Sequence, residues 1–192
     1  MAYRPGKLFI LSGPSGSGKT TLYKKLLKRK ALGNRLIKAI SYTTRARREN
    51  EKDGRDYLFI SRKEFLKKKR QGEFLESQNI FGFLYGTPKD RLRALLNSSQ
   101  NVLLCIDVKG AKEVKRLYPS AVSIFVLPPS FKTLNQRLES RSTEGARQLQ
   151  RRLVVAKKEI AVSKSYDHRV VNDNLKEALN TLEGIIIKKL KE

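Results

Sequence analysis

Apolar and polar positions follow two rhythms along this chain. Short apolar runs of strand type fall at residues 8–11, 36–40, 102–106 and 122–127, with a further one at 169–171. Between them, apolar residues recur at helical spacing and predict helices over 20–30, 90–96, 111–117, 131–139, 146–162 and 175–190. Strand and helix in alternation predict an α/β fold with a parallel sheet covered on both faces. Residues 41–87 break the rhythm, because Gly54, Gly72, Gly82 and Gly86 punctuate short aromatic runs. That stretch reads as an insertion of short strands with a helix near 64–71. Phe81, Phe83 and Tyr85 alternate as on a strand, which assigns Phe81 and Phe83 to the core.

The first strand leads straight into Gly13, Pro14, Ser15, Gly16, Ser17, Gly18, Lys19 and Thr20, which fit G-x-x-x-x-G-K-[ST] at every fixed position in the strand, turn, helix setting the motif requires. Glycines let successive backbone N–H groups turn inward around an anion, and the following helix adds its positive end. Lys19 is placed to reach the outer phosphates and Thr20 to ligate a magnesium ion. The pattern therefore predicts a bound nucleoside triphosphate with magnesium.

Composition narrows the setting. A chain of 192 residues suits one compact unit with inserted subdomains, and its single cysteine excludes an internal disulfide framework. Arg4 and Lys7 precede an apolar run too short for a signal peptide, and no stretch approaches a membrane span. The expectation is a soluble cytoplasmic protein with no membrane partner. Lys and Arg number 42 against 18 Asp and Glu, a formal charge of +24 that would attract nucleic acid or other polyanions. The basic residues are spread over polar helix sides, as in "YKKLLKRK" and "EFLKKKRQ". Solvated helix faces are the favoured reading, and a nucleic-acid role stays as a secondary one.

The insertion is where a phosphate acceptor should be sought, since parallel sheets present ligand sites at their carboxyl ends. Arg45 and Arg48 suit one dianion, because a guanidinium fork matches phosphate oxygens. Tyr57 offers a hydroxyl, and farther on stand Glu76, Tyr85, Thr87 and, after the strand "NVLLCID", Asp107. A guanine edge, with two adjacent donors, gives a carboxylate among so many cations a purpose. Surface ion pairs with neighbouring Lys or Arg explain Glu76 and Asp107 equally well from spacing alone.

The segments "GPSGSGKTT", "SYTTRARR", "DGRDYLF", "GEFLE", "YGT", "IDVKGAKEVK", "LPPS", "RLESR" and "VVND" stand in the order and roughly the spacing of the guanylate kinases, and the chain resembles that family over about residues 6–190. The resemblance implies a P-loop NTPase core of three layers (1–40, 91–130 and 166–192), an inserted GMP-binding subdomain (41–90) and a helical lid (131–165). It implies transfer of the γ-phosphoryl of ATP to GMP or dGMP with Mg2+, by a monomer or homodimer. Residues 13–20, with Thr21 and Asn172, match positions that bind ATP. Ser41, Glu76, Thr87 and Asp107 match those that hold the guanine base, and Arg45, Arg48, Tyr57 and Tyr85 those that hold the acceptor phosphate. Arg137, Arg141 and Arg152 match arginines that close over the transferring phosphate, so Lys19, Arg45 and these three are the expected catalytic set. Two rival readings are a guanylate-kinase-like binding module without catalysis and a P-loop kinase of another phosphorylated acceptor.

The chain departs from the family's pattern at three places. Cys105 stands where an acid is usual, Arg47 and Asn50 replace a proline and a glycine, and Ser142 replaces a glycine after the lid arginine. Cys105 is expected to act as a small apolar filler, with metal binding weaker or another group compensating. Asn50 is expected to preserve the turn by tolerating a left-handed backbone. His168, the only histidine, is expected at a strand edge with no catalytic part.

Overall fold

A computed structural model describes residues 5–32, 35–140 and 146–192. Its main sheet is parallel throughout and runs in the order β2 (Leu36–Lys38), β7 (Asn101–Cys105), β1 (Leu8–Ser12), β8 (Val122–Leu127), β9 (His168–Val171). The chain leaves β1 for one edge at β2, returns as β7 beside β1, and then builds the other side. Every strand therefore points the same way, and the loops at the carboxyl ends gather along one rim.

Period-two alternation buries β1 on both faces. Phe9 and Leu11 pack into a cluster with Leu22, Tyr23 and Leu26 of α1 (Lys19–Leu26) and with Leu179, Leu182 and Ile186 of α7 (Leu175–Lys191). Leu8 and Ile10 face Leu92 and Leu96 of α3 (Lys89–Asn97) and Ala111 and Val114 of α4 (Val108–Leu117). Helices on both faces of a parallel sheet are the predicted arrangement. Helix α1 ends at Leu26, short of the expected residue 30, because Lys28 and Arg29 donate to Lys25 and Leu26 and the chain continues in turns. Helix α4 starts earlier than expected, since Asp107 caps it.

Residues 42–88 form a second sheet in the order β4 (Leu58–Phe59), β3 (Tyr42–Thr43), β6 (Phe83–Pro88), β5 (Phe74–Ile80). Helix α2 (Arg62–Arg70) packs on it through Phe65, whose ring stacks on Phe74 at 4.5 Å, and Ser61 caps its start. The expected core position of Phe83 is not met: it is 39% exposed, and Phe81 is only half-buried. Phe81 and Phe83 lie at the turn of the β5–β6 hairpin, where alternation no longer opposes core to solvent.

Helices α5 (Phe131–Glu139) and α6 (Ala146–Ala161) share a small apolar cluster of Leu134, Leu138, Leu153 and Ala156. His168 stands at the start of the edge strand β9, as expected. Among the described residues no helix is long and apolar enough to cross a membrane.

Candidate active site

The loop after β1 wraps on itself by local bonds. Ser17 N–H donates to Pro14 O at 3.1 Å, and Lys19 Nζ donates to Gly13 O at 2.5 Å and Pro14 O at 2.9 Å. Gly18 has φ 91°, and a Cβ there would lie 2.1 Å from Asn172 Nδ2, so neither conformation nor space admits a side chain. Asn172 is buried under the loop. Its amide donates to Ser17 O at 2.8 Å, and its own carbonyl accepts from Arg137 at 3.1 Å. Asn172 thus braces the loop from below and anchors Arg137 of α5. The same helix presses Leu134 and Leu138 against Gly16.

Two adjoining clefts open at the carboxyl rim, and Ser15, Lys19, Thr20, Tyr57 and Tyr85 line both. The one of about 540 Å³ brings Gly16, Gly18, Thr21, Arg45 and Arg48 together. The one of about 370 Å³ adds Gly13, Ser41, Glu76, Cys105 and Asp107. Residues far apart in sequence and assigned to one site are therefore neighbours around Lys19.

Glu76 is 4% exposed on β5, and its Oε1 accepts from the Thr87 hydroxyl of β6 at 2.6 Å. Its Oε2 turns toward α4. A Cβ at Gly110 would sit 2.6 Å from that oxygen and 3.4 Å from Asp107 Oδ2, so both carboxylates converge on one spot that only glycine leaves open. Burial, with Asp107 and Glu113 nearby, pushes the Glu76 carboxyl up to about 7. Asp107 uses Oδ1 to cap α4, accepting from Lys109 N at 2.8 Å and Gly110 N at 3.2 Å, which leaves Oδ2 for the cleft. The surface ion-pair reading fails for Glu76, which is buried on a hydroxyl instead.

Arg45 is fully engaged. Its Nη2 donates to both oxygens of Glu51 at 2.8 and 2.9 Å, its Nη1 donates to Ala46 O at 2.6 Å, and its Nε donates to Tyr85 Oη at 3.3 Å. Tyr57 meets Tyr85 edge to face at 5.8 Å, and Arg45 lies 5.7 Å over the Tyr57 ring. Burial pushes the Tyr57 hydroxyl upward, so it stays a donor. Arg48 is exposed and gives its backbone N–H to Glu51 at 3.0 Å.

The expected left-handed Asn50 is not found. Phe81 and Ser99 are the non-glycine residues with positive φ among those described. The turn is instead closed by Glu51 N–H on Arg48 O at 3.0 Å and held by the Glu51 carboxylate, so no proline or glycine geometry is needed.

Cys105 is more than filler. It packs against the α1 side of the core but is half-buried and lines the smaller cleft. Burial pushes its thiol upward, with Lys19 and Lys38 pulling the other way. A neutral thiol thus stands among cations where the family's pattern has an acid. Arg152 lies on α6 with its guanidinium 5.2 Å over the Phe81 ring, and neither cleft is lined by it. Arg141 and Ser142 lie outside the described residues.

Three carboxylates were not singled out from the sequence. Glu51 orients Arg45, as above. Asp56, buried and held at about 2 by Lys24, Lys52 N–H and Arg55 against the opposing effect of burial, ties the Tyr57 segment to α1. Glu159 lines the smaller cleft beside Lys19 and Asp107, and burial raises it to about 7. Its signal was present: Arg152, Val155 and Glu159 fall at i, i+3 and i+7 of α6, one helix face.

A parallel sheet carrying a G-x-x-x-x-G-K-T loop at its carboxyl rim, helices on both faces, and an inserted small sheet define a P-loop NTPase fold. The family model described as Guanylate kinase matches residues 5–189. A guanylate kinase of Nitrosospira multiformis is 43% identical over 97% of this chain and 87% of its own length. One of Hahella chejuensis is 46% identical over 94% and 85%. The crystal structure of guanylate kinase from Anaplasma phagocytophilum superposes with a TM-score of 0.80 at 33% identity, covering 98% of this chain and 88% of that one. The chain belongs to the guanylate kinase family.

Proposed function

We propose that the chain transfers the γ-phosphoryl group of ATP to GMP, and to dGMP, giving ADP with GDP or dGDP. The observation that carries the reading is the junction of an intact phosphate loop with a cleft lined by the buried Glu76 and the half-buried Asp107, around the shared Lys19, Tyr57 and Tyr85. A binding module has no use for the complete loop. A kinase of another acceptor has no use for a carboxylate buried at some energetic cost.

In this reading residues 41–90 form the acceptor subdomain and 131–165 the lid, on a core of 1–40, 91–130 and 166–192. Glu76 and Asp107 accept from guanine N1–H and its amino group, with Ser41 beside them and Thr87 fixing the Glu76 carboxylate. Guanine's donors favour the ionised form of Glu76, so base binding draws its proton off. Arg45, Arg48, Tyr57 and Tyr85 take the acceptor phosphate. The Glu51 carboxylate holds the Arg45 guanidinium through Nη2, and an acceptor phosphate would take up the remaining guanidinium donors beside the Tyr57 and Tyr85 hydroxyls.

Lys19 exchanges its loop carbonyls for the β- and γ-phosphates, and the backbone of residues 13–18 with Thr21 cradles them. Asn172 supports this loop. The acceptor phosphate oxygen forms a bond to the γ-phosphorus as the bond to the bridging oxygen breaks, and ADP leaves with that electron pair. Arg137, Arg141 and Arg152 neutralise charge on the equatorial oxygens, and no side chain needs to act as a general base. Magnesium fits this site as an ion carried by the triphosphate, because it keeps most of its waters and the exposed Thr20 hydroxyl lines both clefts. Bound there, it would neutralise phosphate charge. The chain acts in the cytoplasm as a monomer or homodimer, and its basic surface is solvation with nucleic-acid binding as a secondary reading.

The test is ADP production with magnesium and each of GMP, AMP, CMP, UMP and dTMP. GMP should be favoured by orders of magnitude. Equal rates for all five, or none, would refute the assignment.

A further inference from the structure

The β5–β6 hairpin turns at Phe81 and Gly82, with φ 50° and 91°. Two successive positive φ values match the twist of a tight hairpin, and small polar residues ordinarily fill the first place. A bulky aromatic residue in that conformation is strained, and strain of this kind persists where the ring has work to do. The Phe81 ring leaves the core, lines the smaller cleft, and lies under the Arg152 guanidinium at 5.2 Å. Val155 and Glu159, on the same face of α6 as Arg152, line that cleft too. The hairpin carries Glu76, Tyr85 and Thr87, so its tip bridges the acceptor-reading sheet to the helix that bears Arg152.

We propose that Phe81 is a positioning residue whose ring seats the Arg152 guanidinium and thereby couples that arginine to the acceptor hairpin. A guanidinium over an aromatic face is attracted by the ring's negative π surface, and its in-plane N–H donors point away from the ring. Seating it in advance removes rotamer freedom that the transition state would otherwise have to freeze. Reading of the base is left to Glu76 and Asp107, so loss of the ring acts on turnover and not on acceptor binding. The proposal rests on the role given above to Arg152.

The test is steady-state kinetics on Phe81→Leu, Phe81→Tyr and Phe81→Gly, with Phe81→Leu repeated in an Arg152→Ala background. Removing the ring should lower kcat about tenfold while KM for GMP changes less than about twofold, and Phe81→Tyr should restore kcat. Phe81→Gly relieves the positive φ, so its melting temperature should equal or exceed that of the parent while kcat falls as for leucine. In the Arg152→Ala background, Phe81→Leu should cost nothing further. A parental kcat for Phe81→Leu, or losses that multiply in the double variant, would overturn the proposal. A parent that forms no GDP would instead sink the kinase reading. The same cycle followed by urea unfolding without nucleotide then decides the contact, which additive effects would refute.

Discussion

The phosphate loop and the acceptor pocket share Lys19, Tyr57 and Tyr85 yet are built on opposite terms. The loop takes its groups from residues 13–20, uses backbone N–H donors, and quiets its one cation with its own carbonyls. The pocket takes Ser41, Glu76 and Asp107 from three separate stretches and buries a carboxyl raised to about 7. Anion binding by backbone needs no buried carboxyl, whereas a carboxylate that meets the donors of a base must be taken out of water. In the proposed reading, specificity for the acceptor is therefore held at the expense of the free fold's stability, and binding of the donor is not.

The largest effect should come from the loop. Lys19→Ala is expected to lower turnover on the order of 10³-fold, followed by ADP release, with little change in thermal stability. A fully active variant would remove the loop from the comparison.

Glu76→Gln should separate the two costs. Its kcat/KM for GMP should fall roughly 100-fold, since the amide offers a donor where guanine presents donors. Burial pushes the Glu76 carboxyl from its ordinary 4.5 up to about 7, so the folded state holds the extra proton between those values. Stability therefore falls as pH rises through that window. Urea unfolding should find Glu76→Gln more stable than the parent at pH 8 by about 1–3 kcal/mol, and the difference should fade below pH 4.5. In the parent, KM for GMP should rise as pH drops below about 7.

Gly110→Ala is a smaller probe of the same pocket. Alanine favours a helix by about 1 kcal/mol, but its Cβ would lie 2.6 Å from Glu76 Oε2. KM for GMP is expected to rise about tenfold with no loss of melting temperature. An unchanged KM would show that the carboxylate can shift without losing the base. Least in size, Cys105→Asp should tighten the magnesium dependence of ATP binding by about threefold in calorimetry, as a restored charge beside Lys19 would. A flat magnesium titration would assign the compensation to Glu159, which lines the same cleft.

The same contrast governed what could be read in advance. The strands of the main sheet fell within a residue or two of their expected bounds, because the inner strands β1, β7 and β8 are apolar runs buried on both faces and the edge strands β2 and β9 pair directly beside them. The loop was legible outright, since its function is written in consecutive residues. Glu76 was recognisable as a candidate, but its pairing with the Thr87 hydroxyl and its convergence with Asp107 over Gly110 were not. Glu51, Asp56 and Glu159 looked like ordinary surface acids in a basic chain, and Phe83 looked like core.

By itself, then, the sequence determined the alternation of strand and helix, the phosphate loop, and membership in a family. Those depend on periodicity and on neighbours within a few residues, which backbone geometry translates directly. The tertiary structure decided which carboxylates are buried, which arginine faces which ring, and that a hairpin tip reaches across to α6. Desolvation and pairing depend on what the fold brings within a few ångströms, and residues 76, 107 and 159 meet only when the separate elements that carry them pack together.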